Sequence, residues 1–199
     1  MQLPRTLTLD TERCILRIVA LEDIPHIFSA TRYPLFNEGM VWDPPDEPED
    51  LEPHYYSNIK AWEAGLHYTF TIADRETNEF LGRIVIRQGE ADEWDLGFFL
   101  HPDHYGHGYM TEAGARILQF GFEQLNAPLI TAGHATWNTA SARVLERLGM
   151  RFIKHVPQGF LKRGEWVAEN FLGITRDDWL QTTGLKTKRA SRKPTPTRP

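Results

Sequence analysis

Residues 67–125 constrain the fold of this chain more than any other stretch. Three strand-like segments, His67–Ala73, Phe80–Arg87 and Trp94–Leu100, are separated only by the turn sequences Asp74-Arg75-Glu76-Thr77-Asn78 and Gly89-Glu90-Ala91-Asp92. Connections this short join antiparallel neighbours, so the spacing predicts a meander. The third segment runs into Tyr105-Gly106-His107-Gly108-Tyr109-Met110. Beyond it Met110, Ala113, Ile117, Leu118 and Phe122 recur on one helical face of a segment ending near Leu125.

The flanking sequence adds elements on both sides. Leu7–Ile18 alternates loosely and reads as a first strand. Glu22-Asp23 opens a short helix to about Ala30, with acids at its positive end. Residues 31–48 hold four prolines and read as irregular. Glu49–Ala64 reads as a second helix stopped by Gly65. Leu129–His134 is a strand, and Thr139–Leu148 a helix with Asn138 as N-cap and Gly149 as stop. Met150–Val156 and Trp166–Ile174 complete the strands, and residues 175–179 begin a last helical turn. The expectation is an α+β fold: a mixed, mostly antiparallel sheet of about seven strands with about four helices.

The length of 199 residues suits one domain, here expected over residues 1–182. Residues 183–199 carry six Lys and Arg, no acid and three prolines, which predicts a disordered basic tail. The net charge of −5 therefore hides a body of −11, which disfavours nucleic acid as the main partner. No apolar run reaches the roughly 18 residues of a membrane span. The single cysteine, Cys14, forms no disulfide framework or CxxC pair and reads as a packing residue. Together with an N-terminus unlike a signal peptide, this predicts a cytoplasmic protein with no membrane role.

The glycine turn carries the chemistry. It sits where a strand ends and a helix begins. The first helical amides have no intrahelical acceptor, and the helix dipole adds positive potential there. Glycine lets a ligand approach the backbone closely. Such a turn either cradles a pyrophosphate or is a plain bend that uses glycine for its conformational freedom. It is not a P-loop, because no Gly-Lys-Ser/Thr follows, and it lacks the third glycine of a dinucleotide fingerprint.

A second block, Thr136-Trp137-Asn138-Thr139-Ala140-Ser141-Ala142-Arg143-Val144-Leu145-Glu146-Arg147-Leu148-Gly149-Met150, follows about 30 residues on. In that order the two blocks resemble the GCN5-related N-acetyltransferases (GNAT), in the branch of ribosomal-protein alanine acetyltransferases (RimJ/RimL-like). Thr11–Arg17, Glu169-Asn170-Phe171 and Arg176–Trp179 are similar to the same branch, so the likeness covers roughly residues 6–180. Tyr105 and Met110 depart from the family's phosphate pattern, whose grip is mainly through backbone amides.

The resemblance implies an acetyl-CoA-dependent N-acetyltransferase in which an amine attacks the thioester directly. It implies that the pantetheine lies along Phe98, Phe99 and Leu100, with an amide near Leu100 polarising the carbonyl. It implies that Tyr105, Gly106, His107, Gly108, Tyr109 and Met110 hold the pyrophosphate. Asn138 faces the coenzyme or serves only as a cap, and Ser141 donates to the leaving thiolate or only allows close packing. The tyrosine that often serves as general acid is replaced by Leu145.

A base must deprotonate the amine. Asp95 is the first candidate and His134 the second. Alternation puts Glu93, Asp95, Gly97 and Phe99 on one face of their strand. His101, His104 and His107 lack a zinc-like second ligand group, so no metal is expected. The loop between the first two helices usually walls the acceptor pocket in this fold. Here it holds Tyr33, Phe36 and Trp42, either as pocket wall or as packing. Asp43, Asp46, Glu47, Glu49, Asp50 and Glu52 either attract a cationic amine or form a solvated acidic loop. The acceptor expected is a peptide N-terminus or a small cationic amine, and a homodimer fits the family. The alternative reading is an acyl-CoA-binding module without turnover.

Overall fold

The computed structural model describes residues 2–89 and 92–184. The turn expected at 89–92 therefore lies partly outside the described residues, as does the basic tail from 185 onward.

Among the described residues eight strands form one sheet in the order β1-β2-β3-β4-β5-β6-β8-β7. They are β1 (Thr8–Asp10), β2 (Cys14–Ile18), β3 (His67–Asp74), β4 (Phe80–Gln88), β5 (Trp94–Leu100), β6 (Leu129–Ala135), β7 (Arg151–Lys162) and β8 (Glu165–Thr175). The helices are α1 (Ile24–Thr31), α2 (Glu52–Ala64), α3 (Tyr109–Glu123), α4 (Thr139–Arg147) and α5 (Arg176–Thr182). The predicted α+β architecture and the central meander are present.

Two strand boundaries differ from expectation, each for a local reason. Leu7–Ile18 is a hairpin, not one strand. Thr11 Oγ1 accepts from the Cys14 amide at 2.8 Å, and the Thr11 amide donates to the Cys14 carbonyl at 2.9 Å, closing a turn that has neither glycine nor proline. At the other end β7 runs past Pro157 to Lys162. Proline is tolerated because β7 is the sheet's outermost strand and its register slips between Val156 and Phe160.

Alternation separates the two faces of the meander. Tyr68, Phe70, Ile72, Ile84, Ile86, Leu96 and Leu100 are buried in the main core. They meet α3 through Ile117 and Phe120, with Phe120 edge-on to Tyr68 and Phe70 at 5.7 and 5.6 Å. Thr69, Arg83, Val85, Arg87, Asp95, Gly97 and Phe99 point to the other side. There Asn58 of α2 accepts a hydrogen bond from Thr69 Oγ1 at 2.9 Å. Helix α2 stops at Gly65, whose φ of 72° lets the chain reverse into β3.

The sheet splits at the parallel pairing of β5 with β6. β5 and β6 are in register at Trp94↔Ile130 and Asp95↔Thr131, and the remainder of both strands runs unpaired. β5 stays bonded to β4 as far as Leu100, and β6 stays bonded to β8 throughout. The two halves thus open a wedge toward the C-terminal ends of β5 and β6.

Candidate active site

The wedge opens beside the glycine turn. Gly106 and Gly108 have φ of 81° and 82°, a left-handed conformation that other residues adopt only with strain. A Cβ at Gly106 would meet nothing within 4 Å, so its outer side is open. Gly108 is the N-cap of α3 and has no side chain to cap the helix, which leaves the first-turn amides available.

The back of the turn is braced from the β1–β2 hairpin. Arg13 Nη1 donates to the His107 carbonyl at 3.0 Å, and the guanidinium stacks on Tyr109 at 4.7 Å. Glu112, one turn into α3, accepts from Thr11 Oγ1 at 2.6 Å and from the Arg13 amide at 2.7 Å. The three turn histidines differ in environment. His101 is buried, with Nδ1 accepting from the Asp103 amide, and His104 lies 3.7 Å from Glu79. No group of three His, Cys, Asp or Glu among the described residues is placed to hold a metal.

Strand polarity sets what the wedge offers. The His101 amide donates to the Leu81 carbonyl at 2.8 Å, so odd-numbered backbone groups of β5 point at β4. The amides and carbonyls of Phe98 and Leu100 consequently point at the open edge. On the opposing side Asn138 caps α4, its Oδ1 accepting from the Ser141 amide at 3.1 Å. Its Nδ2 is directed at Gly39, where a Cβ would come within 2.9 Å of it. Leu145 is fully buried in the core, so no hydroxyl stands at that position.

On the face away from α3 the wedge continues into a cavity of about 410 Å³. It is lined by β3, β4 and β5, by Gly133, His134, Glu169 and Phe171 across the split, and by Asn138, Ser141 and the loop 39–42. Asp95, Phe98, Phe99, His134, Asn138, Ser141 and Trp42 are therefore brought together. Tyr33 and Phe36 do not line the cavity. Tyr33 donates to Asp103 Oδ1 at 2.7 Å, while Phe36 is buried against Trp42 and Phe99, at 6.3 and 5.5 Å between ring centres.

Asp95, His134 and Glu169 are acid–base groups of the cavity wall beside the split. Asp95 Oδ2 is taken by Arg87 Nε at 2.6 Å. His134 Nδ1 lies 2.8 Å from the Ala135 carbonyl. A nitrogen facing a carbonyl carries the hydrogen, so the lone pair is on Nε2. Glu169 has no such tether. Burial pushes its carboxyl above the usual range, the charge of Asp95 pushes it further, and His134 pulls it back.

The acids of the loop after α1 lie off the cavity. Asp50 Oδ2 accepts from the Asp46 and Glu47 amides at 3.1 and 3.0 Å, closing its own turn. The loop is fastened by the β7–β8 hairpin. Lys162 Nζ donates to the carbonyls of Asn37, Met40 and Trp42 at 2.6, 2.8 and 3.1 Å.

Sequence reasoning missed Lys162, Glu169 and Arg83 as site residues. Arg83 alone left a signal, as a charge in the middle of a strand with apolar residues on either side.

The profile of the acetyltransferase (GNAT) domain matches residues 13–151. The chain is 30% identical over 115 residues to the uncharacterized N-acetyltransferase YnaD of Bacillus subtilis, covering 55% of this chain and 65% of YnaD, which is just under two thirds of that relative's length. An acetyltransferase structure from Agrobacterium tumefaciens superposes with a TM-score of 0.68 at 28% identity, over 87% of this chain and 95% of that one. The ribosomal L7/L12 alpha-N-protein acetyltransferase RimL, solved with coenzyme A, shares the fold at a TM-score of 0.78 and 17% identity, over 86% and 99% of the two chains. This chain belongs to the GNAT acetyltransferase family.

Proposed function

We propose that this chain transfers an acetyl group from acetyl-CoA to an amine by direct attack within a ternary complex, as a RimJ/RimL-like member of its family. The observation that carries this reading is the split between β5 and β6. It exposes the Phe98 and Leu100 backbone between a left-handed glycine turn and an acceptor-sized cavity.

In this reading the first-turn amides of α3 hold the pyrophosphate, and the pantetheine adds to the open edge of β5. An amide at Phe98 or Leu100 donates to the thioester oxygen as negative charge develops there. The amine enters from the cavity. Glu169 takes its proton, directly or through water. The nitrogen lone pair forms the C–N bond, the C–S bond breaks, and the thiolate takes a proton. With leucine at 145, Ser141 is the hydroxyl that α4 brings to the cavity wall. Asp95 is held by Arg87 and acts on Glu169 through its charge. His134 Nε2 is the second acceptor for the amine proton.

Release of free thiol from acetyl-CoA in the presence of a panel of amines tests the reading. Amine-dependent release supports it. Tight binding of the coenzyme with no release by any amine would instead favour a binding module.

A further inference from the structure

The floor of the cavity holds a cation two of whose donors have no partner among the described residues. Arg83 stands on β4 opposite Phe99 and lines the cavity. Its Nε and Nη2 are shut off from solvent, and neither has a hydrogen-bond partner. Those two N–H groups form one edge of the guanidinium, the parallel fork that grips a carboxylate. The acid whose charge acts on it, Asp23, does not fill it. Asp23 is bonded by Arg17 at 2.7 Å, by Thr71 Oγ1 at 2.5 Å and by the Ala20 amide at 2.9 Å. It supports Arg83 only through its charge. His67, which also lines the cavity, has a buried Nε2 without a partner.

Burial pulls Arg83 down to about 10, against the pull of Asp23, so it remains a cation at neutral pH. A buried charge with two unmet donors is costly to keep. A site that holds one gains when an oxyanion fills it. Across the cavity Glu169 supplies the opposite charge, and the Arg87–Asp95 pair neutralises itself.

We infer that the acceptor is an amine that also carries a carboxylate, which on entering the cavity draws the Arg83 side chain to turn Nε and Nη2 onto it, while the amine is held toward Glu169 and the thioester. This inference rests on the acetyltransferase reading and narrows it. It differs from the cationic acceptor that the acidic loop suggested, because that loop's acids do not line the cavity and the arginine does.

The test compares α-, β- and γ-amino acids with amines of the same carbon skeleton that lack the carboxylate, read as thiol release from acetyl-CoA. The best amino acid should exceed its decarboxylated partner by on the order of 10- to 100-fold in kcat/KM. Arg83→Gln should erase that preference and leave the affinity for acetyl-CoA unchanged. As a readout independent of turnover, propionate should raise the melting temperature of the wild-type protein and not that of Arg83→Gln. The variant should melt no lower than wild type without ligand, since it loses a desolvated charge and no bond. Thiol release by both kinds of amine at equal efficiency, or a carboxylate preference that survives in Arg83→Gln, overturns the inference and leaves the acetyltransferase reading standing. If no amine triggers release, the acetyltransferase reading falls, and the propionate shift still decides whether Arg83 is an anion site.

Discussion

Arg87 Nε lies 2.6 Å from Asp95 Oδ2, across the β4–β5 ladder and in the wall of the cavity. The pair ties up the carboxylate that was the first candidate for the base, and leaves Glu169 as the untethered acid facing the same space. Glu169→Gln should therefore lower kcat by on the order of 100-fold or more, the usual contribution of a general base. Asp95→Asn should cost less than about tenfold. Steady-state rates decide between them, and the reverse order would return the role to Asp95.

Glu169 also sets the expected pH dependence. Its pKa is raised, first by burial and then by the charge of Asp95. The basic form is the deprotonated one, so activity should rise with pH through an acid limb lying above the ordinary glutamate value of about 4.3. Removing the Asp95 charge should move that limb to lower pH. A kcat/KM profile for Asp95→Asn measures the shift, and an acid limb unmoved by the substitution would contradict the assignment.

Lys162 is 6% exposed and satisfies three carbonyls of the loop that roofs the cavity. Lys162→Met should destabilise the fold by about 1–3 kcal/mol, because those carbonyls lose their donor. Its functional effect should fall on the acceptor: KM for the amine rises, and acetyl-CoA affinity holds. Calorimetric titration with coenzyme separates the two. A matching loss of coenzyme affinity would mean that the lysine supports the whole site.

Asp23 dominates the electrostatics of the buried floor. Burial pushes its carboxyl up, yet the bonds from Arg17, Thr71 and the Ala20 amide more than offset this and hold it below the usual range. A depressed carboxylate adds stability that is full above the unfolded value of about 3.9 and is lost as pH falls through the folded value. Asp23→Asn should cost about 3–5 kcal/mol at pH 7, the penalty of breaking a buried pair from one side. Urea melts at pH 7 and pH 3 should show that gap narrowing in acid.

Gly108→Asp tests the cradle. A side chain at φ of 82° costs about 1–2 kcal/mol in backbone strain, and its Cβ would lie 3.6 Å from Arg13 Nη2, so the new carboxylate would compete with Glu112 for the guanidinium that braces the turn. Affinity for coenzyme A should fall by on the order of 100-fold or more. Gly106→Ala carries the same kind of strain but meets open space, so its loss should be smaller.

Much of the fold was legible because its strands are short and sharply punctuated. The alternation of Trp94, Leu96 and Leu100 against Asp95 and Gly97 gave β5 its bounds and its faces, and Gly65 marked the end of α2. The turn at Thr11 was hidden because a hydroxyl, not a glycine or proline, closes it. The acidic loop misled because composition gives charge without direction, and Asp50 turns back onto its own amides. Glu169 and Arg83 were invisible as partners in one cavity. They share it only through the strand order and the split between β5 and β6, which no local pattern encodes.

The claim of direct transfer is tested most plainly by initial rates with acetyl-CoA and an active amine both varied. A ternary complex in the wedge predicts double-reciprocal lines that intersect, and no acetylated protein when the amine is left out. Parallel lines, or an acetyl group recovered on the chain itself and passed on to the amine, would contradict it.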